Sequence, residues 1–128
     1  MLPRFVIAQY DPNSGRRQGL FQAALALKRT GTLSVADHDT LEGILAWFGK
    51  NLQTPNKSTL SNHPGRQPQA ICRFKDSAIN HIANMREYGL VLERYGWMVE
   101  ELRTKRPGYV VYQDRHQIAA YPFADTPT

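Results

Sequence analysis

A chain of 128 residues with a net charge of +5 and one cysteine has the length of one domain, enough to bury about two-thirds of the surface its unfolded form exposes. Cys72 alone excludes an internal disulfide and a cysteine-based zinc site, and it fits a reducing, cytoplasmic setting. The opening run MLPRFVIAQYD has too short an apolar stretch for a signal peptide, and no uninterrupted apolar segment could span a bilayer, so a soluble protein is expected.

The first predicted element is a strand at Arg4–Tyr10, rich in β-branched and aromatic residues, followed by DPNSG, a cluster of turn formers. Residues 18–29 fit two patterns. Phe21, Ala23, Leu25 and Leu27 alternate as a strand would, whereas Leu20, Ala24 and Leu27 form a helical stripe; composition and the stop at Gly31 favour helix. A strand here would pair with the first across DPNSG.

Ser34 to Leu52 reads as a helix. Ser34 and Asp37 have the spacing of a capping box, Asp37, Asp39 and Glu42 suit the positive end of the dipole, and Leu41, Ile44, Leu45 and Phe48 form the buried stripe, with Trp47 at its edge. Residues 53–69, with three prolines and little apolar content, are expected to form a mobile loop whose Lys57, His63 and Arg66 give it a positive cast. Ala70–Lys75 (AICRFK) predicts a short strand in which Ile71 and Arg73 share one face and Cys72 is a small buried hydrophobe.

A long amphipathic helix is predicted from Ser77 to Tyr95, with Ala78, Ile82, Met85, Gly89 and Leu92 on its apolar face. Gly89 at the centre of that face points to a close approach by another element, His81 reads as a hydrogen-bonded core histidine, and Gly96 ends the helix. Three strands complete the pattern: 97–104, then 109–113 after a Pro107-Gly108 turn, then 116–121 after Asp114-Arg115. Residues 124–128 are expected to fray. The fold class that emerges is α+β, a single domain with a mainly antiparallel sheet and two helices packed on one face.

Positive charge is uneven. Residues 1–35 carry +4, 51–76 carry +3 and 102–128 carry +2, while 36–50 and 77–101, which hold the two clearest helices, each carry −2. Gathered on one side, the basic segments would engage phosphates through Arg16, Arg17, Arg103, Lys105, Arg106 and Arg115. Tyr109, Tyr112 and His116 are the accompanying interaction residues. Strict alternation would put the two tyrosines on opposite faces and so weaken a shared stacking platform.

Motifs for common cofactor enzymes are missing: no Gly-rich phosphate loop, dinucleotide fingerprint, HExxH, Cys-x-x-Cys or Gly-x-Ser-x-Gly. No cofactor, metal or catalytic residue is assigned. Asp114 and His116 could form an acid-base pair, but a structural role in the turn is favoured.

The run PGYVVYQDRHQIAAYPF, with the preceding helix and the spacing of Trp47, Phe48, Asn51, Leu52 and Pro55, resembles the ending of small uncharacterised bacterial proteins. The resemblance covers most of the chain and implies a bacterial or phage-related source and a free-standing domain. It brings no activity, ligand or catalytic residue.

The functional expectation is a non-enzymatic accessory or regulatory binding module of a nucleic-acid-handling system, engaging nucleic acid or an anionic protein surface through a basic face. Two alternatives stand beside it: a protein-interaction module of the inhibitor or immunity type, and a small hydrolase using Asp114 and His116.

Overall fold

The computed structural model of the chain describes residues 1–12, 14–55 and 70–128. Its elements are β1 (Leu2–Tyr10), β2 (Arg17–Gly19), α1 (Leu20–Arg29), α2 (Val35–Asn51), β3 (Ile71–Phe74), α3 (Ile79–Arg94), β4 (Val99–Thr104), β5 (Tyr109–Gln113) and β6 (Gln117–Tyr121). The strands form two antiparallel three-stranded sheets, ordered β2-β1-β4 and β3-β6-β5. No described helix is long and apolar enough to cross a membrane.

Residues 17–29 combine the two expected patterns. Arg17–Gly19 pairs with β1, with the Asp11 N–H donating to the Arg16 carbonyl at 2.7 Å, and the helix begins at the next residue. Gly19 supplies no capping side chain, so α1 is held by packing, with Leu20, Ala23, Ala24 and Leu27 buried, and by Lys28 and Arg29 in its last turn. In α2, Ser34 caps through its hydroxyl, which accepts from the Asp37 N–H at 3.1 Å. Leu41, Ile44 and Phe48 are buried as the stripe requires, but Leu45 lies at the rim, 37% exposed.

A clasp joins the start of α2 to the end of α3. The Tyr95 hydroxyl donates to Asp37 Oδ2 at 2.8 Å and accepts from the Ser34 N–H, while Arg94 donates to Asp37 Oδ1 at 2.6 Å. The Tyr95 bond, with help from Ser34 and Arg94, holds the Asp37 carboxyl below the usual carboxylate range.

The helix α3 is the hub, packing on α1, α2 and β4. Tyr88, next to Gly89 on this helix, is part of the core and is 1% exposed. At Gly89 an added Cβ would stand 3.2 Å from Val99 Cγ1, so β4 makes the close approach expected there. Gly96, at φ 86°, closes the helix. The core joins these helices to Phe5 and Ile7 of β1, with Phe74 and Val99 packed against it.

Three expectations are corrected. First, among the described residues there are two three-stranded sheets and three helices, with α3 packing on α1, α2 and β4, and α1 on β1 and β2. Second, Pro107-Gly108 closes no hairpin: β4 pairs with β1 from Leu2↔Thr104 to Ile7↔Val99, and the chain then crosses to the other sheet. Gly108 has φ 121°, well beyond the roughly +80° of a type II turn, and a Cβ there would lie 1.8 Å from the Tyr121 carbonyl oxygen. Third, the tail is docked where fraying was expected. Thr126 is 8% exposed; its hydroxyl accepts from the Phe123 N–H at 3.0 Å and donates to the Arg106 carbonyl at 3.2 Å. The loop expected at 53–69 lies outside the described residues beyond Pro55.

Candidate functional site: an arginine-lined cleft between the sheets

Arg73 is the least expected feature of the core. Period-2 alternation gives it the same face as Ile71, and that face turns inward against the first sheet, leaving Arg73 1% exposed. A buried guanidinium must find acceptors, and this one donates to the carbonyls of Leu2 at 3.3 Å, Leu102 at 3.1 Å and Pro127. One residue of the second sheet thereby ties down β1, β4 and the tail.

Arg4 on β1 does the same nearby, donating to the Thr128 carbonyl at 2.7 Å and the Arg17 carbonyl at 2.8 Å. The Arg17 N–H also donates to the Thr128 carbonyl at 3.4 Å. Burial, then the charges of Arg73, Arg16 and Arg17, bring Arg4 down to about 10 from its ordinary value. Burial alone lowers Arg16 and Arg73 as well.

These four arginines line one cleft of about 390 Å³, a volume within the range of small-ligand sites. Its apolar wall includes Phe5, Leu20, Phe21, Ile71, Phe74 and Met85, and among the described residues that line it Asp11 is the acidic one. The Arg17 side chain also pairs with Glu100.

Cys72 lines the cleft and reaches solvent, a correction to its expected burial. Desolvation of the sulfur, opposed by Arg4 and assisted by Asp114, pushes the thiol up, away from the thiolate a nucleophile needs.

The other expected basic residues are not gathered here. Lys105 and Arg106 share a shallow depression with Arg103 and Asp125 at the far end of β4. Arg103 is paired with Glu101 at 2.6 Å; Arg106 is paired with Asp125 at 3.5 Å and lies over the Phe123 ring at 5.0 Å. Arg115 is exposed at the β5–β6 turn, separated from Lys105 by the length of β5, about 17 Å. The six residues proposed from the sequence therefore occupy three places, and Lys57, His63 and Arg66 lie outside the described residues.

The tyrosines are closer partners than alternation implied. Tyr109 faces Tyr121, Val110 faces Ala120, and a bulge then lets Tyr112 face Ala119. Ala119 and Tyr121 are two apart on β6, so Tyr109 and Tyr112 share their face.

Asp114 is occupied by its own turn. Its Oδ1 accepts from the His116 N–H at 2.8 Å and the Gln117 N–H at 3.1 Å; its Oδ2 accepts from the Tyr112 hydroxyl at 2.8 Å and Gln117 Nε2 at 3.1 Å. Burial raises this carboxyl, but those bonds outweigh it and leave the pKa low. The His116 ring instead stacks on His81, with centroids 4.2 Å apart. His81 Nε2 in turn donates to the Asn51 carbonyl at 2.7 Å. Asp114 thus meets His116 through the main-chain N–H. Among the described residues no three His, Cys, Asp or Glu side chains group as metal ligands would.

Sequence reasoning missed Arg4 and Arg73. The signal for Arg73 was its phase with Ile71 on a short strand; Arg4 gave none, because its partners come from β2 and the tail.

No family model matches the chain, and no curated protein or solved structure matches it.

Proposed function

We propose that this chain is a non-enzymatic binding module that seats an anionic partner in the arginine-lined cleft. The observation that carries it is the convergence of Arg4, Arg16, Arg17 and Arg73, close enough that three of them disfavour the charge on the fourth. Like charges held together raise each other's energy, and a bound anion relieves that repulsion while accepting charge-assisted hydrogen bonds. The unevenly basic chain, net +5, adds long-range attraction for such a partner. In the accessory or regulatory role that the charge pattern suggests, the partner is nucleic acid or an acidic protein surface.

The test is fluorescence anisotropy of labelled single-stranded and duplex oligonucleotides, and of acidic peptides, across salt concentrations. The expected result is binding whose logarithm falls linearly with that of salt. It should weaken more on changing Arg16 and Arg17 to Ala than on changing Arg103, Lys105 and Arg106. Absence of binding by every anionic probe at physiological salt overturns the proposal.

A second reading is favoured by one observation. Edge strand β5 carries no charge, and Tyr109 and Val110 on it are 69% and 47% exposed. Such an edge suits a protein partner with little salt dependence. Capture of a partner lost in Val110→Lys but kept in the Arg16 and Arg17 variants would select this reading.

A further inference from the structure

One wall of the cleft is the outer edge of β3, the terminal strand of its sheet. The Lys75 N–H donates to the His116 carbonyl at 2.8 Å, in the register that sets Phe74 against Gln117 and Arg73 against Ile118. Residues 75 and 116 are thus a hydrogen-bonded pair, and alternation makes 73 with 118 and 71 with 120 the next ones. The N–H and C=O groups of Cys72 and Phe74 therefore turn away from β6. Both residues line the cleft, and no other described main-chain group pairs with them.

Around that edge stand donors already engaged with main-chain oxygens. The carbonyls of Pro127 and Thr128 sit on Arg73 and Arg4. Arg73 Nε is buried with no hydrogen-bond partner, an unmet donor in a residue that lines the cleft. The Arg17 side chain pairs with Glu100, which is 53% exposed, and such pairs exchange at little cost. The lining also holds the apolar side chains of Leu20, Phe21 and Met85.

Taking the cleft as the seat of an anionic partner, the geometry points to an acidic peptide in extended conformation, added to β3 as a further strand. Its main chain bonds to Cys72 and Phe74. Alternate side chains place carboxylates toward Arg16 and Arg17 and apolar groups on the Leu20–Phe21 wall. A second copy of this chain, at +5, has the wrong charge for the role.

The probe is a labelled hexapeptide alternating glutamate and valine, tested on the full chain at physiological salt. Its comparators are the lysine–valine peptide, the glutamate–valine peptide N-methylated at alternate residues, and a phosphorylated oligothymidylate. The expected result is saturable binding of the glutamate peptide alone, weakened about tenfold or more by N-methylation and by Arg16→Ala with Arg17→Ala. Hydrogen exchange at the Cys72 and Phe74 amides should slow on binding, and circular dichroism confirms that the double variant folds. Equal binding of the N-methylated or lysine peptide, or unchanged exchange at both amides, overturns strand addition. Oligothymidylate binding without peptide binding also overturns it but leaves the anionic-partner reading standing. If no probe binds, both fall.

Discussion

The cleft and the patch around Lys105 both concentrate basic side chains, yet they satisfy them differently. In the cleft, Arg4 and Arg73 donate to main-chain carbonyls of β1, β2, β4 and the tail. In the patch, Arg103 and Arg106 meet carboxylates, Glu101 and Asp125, from exposed positions. A carbonyl carries no net charge, so Arg73 keeps its positive potential, whereas ion pairing cancels much of that of Arg103 and Arg106 in the patch. Basic residues in a sequence are thus a poor guide to where an anion would bind until their partners are known.

The largest expected effect tests the structural half of that contrast. Arg73→Met removes the donors of three part-buried carbonyls and the only guanidinium of β3, and urea denaturation should show a loss of about 3 kcal/mol or more. A loss below about 1 kcal/mol would mean that water replaces the guanidinium, and the cleft arginines would then be ligands only.

Next comes the segment leading from the patch into β5. Gly108→Ala would put a Cβ 1.8 Å from the Tyr121 oxygen at φ 121°, and a destabilisation of about 2–3 kcal/mol is expected in the same assay. Gly89→Ala provides the control. Its Cβ is crowded by Val99 Cγ1 at 3.2 Å and makes ordinary contacts with Leu20 Cδ1 at 3.5 Å and Val99 Cγ2 at 3.7 Å, and the gain in helix propensity, about 1 kcal/mol, offsets the crowding.

Acid separates the regions in another way. Carbonyl acceptors do not titrate, so Arg73→Met should lower stability by a similar amount at every pH from 3 to 8. Asp114 has a folded pKa below its unfolded value. Its contribution is therefore present above that unfolded value, near 3.9, and is lost as pH falls through the folded value. Asp114→Asn should flatten the acid limb of the stability curve, measured by urea midpoints between about pH 2 and 5, and leave the upper limb parallel. An unchanged acid limb would show that the turn's bonds form equally well in the unfolded chain.

The smallest effect belongs to the patch. Arg103→Ala breaks a surface ion pair, and less than about 0.5 kcal/mol is expected. A loss well above that would place the Arg103–Glu101 pair among the structural interactions and narrow the contrast with the cleft.

Much of the fold was legible because local rules decide it. The Ser34 cap, the Leu41–Ile44–Phe48 stripe, the stop at Gly96 and the close approach at Gly89 each follow from a few neighbouring residues. Sheet partnership was not legible. Whether β4 pairs with β5 or with β1 depends on contacts about a hundred residues apart in the chain, and Pro-Gly suits a crossing as well as a turn. The site was half legible for the same reason. Arg16 and Arg17 stand out by charge beside a turn, but Arg4 and Arg73 become site residues only when two sheets and a tail converge. The bulge in β5 shows a further limit, since one extra residue reverses which face every later side chain occupies.

The ring contacts from α2 to the β5–β6 turn give the molecule a built-in optical reporter. Trp47 lies edge-on to His81 with centroids 4.8 Å apart, and His81 stacks on His116. Indole emission shifts with neighbouring polarity and is quenched by an adjacent imidazolium. Intrinsic fluorescence, with Trp97 replaced by Phe to silence the other indole, therefore registers whether the far turn is seated without any label attached.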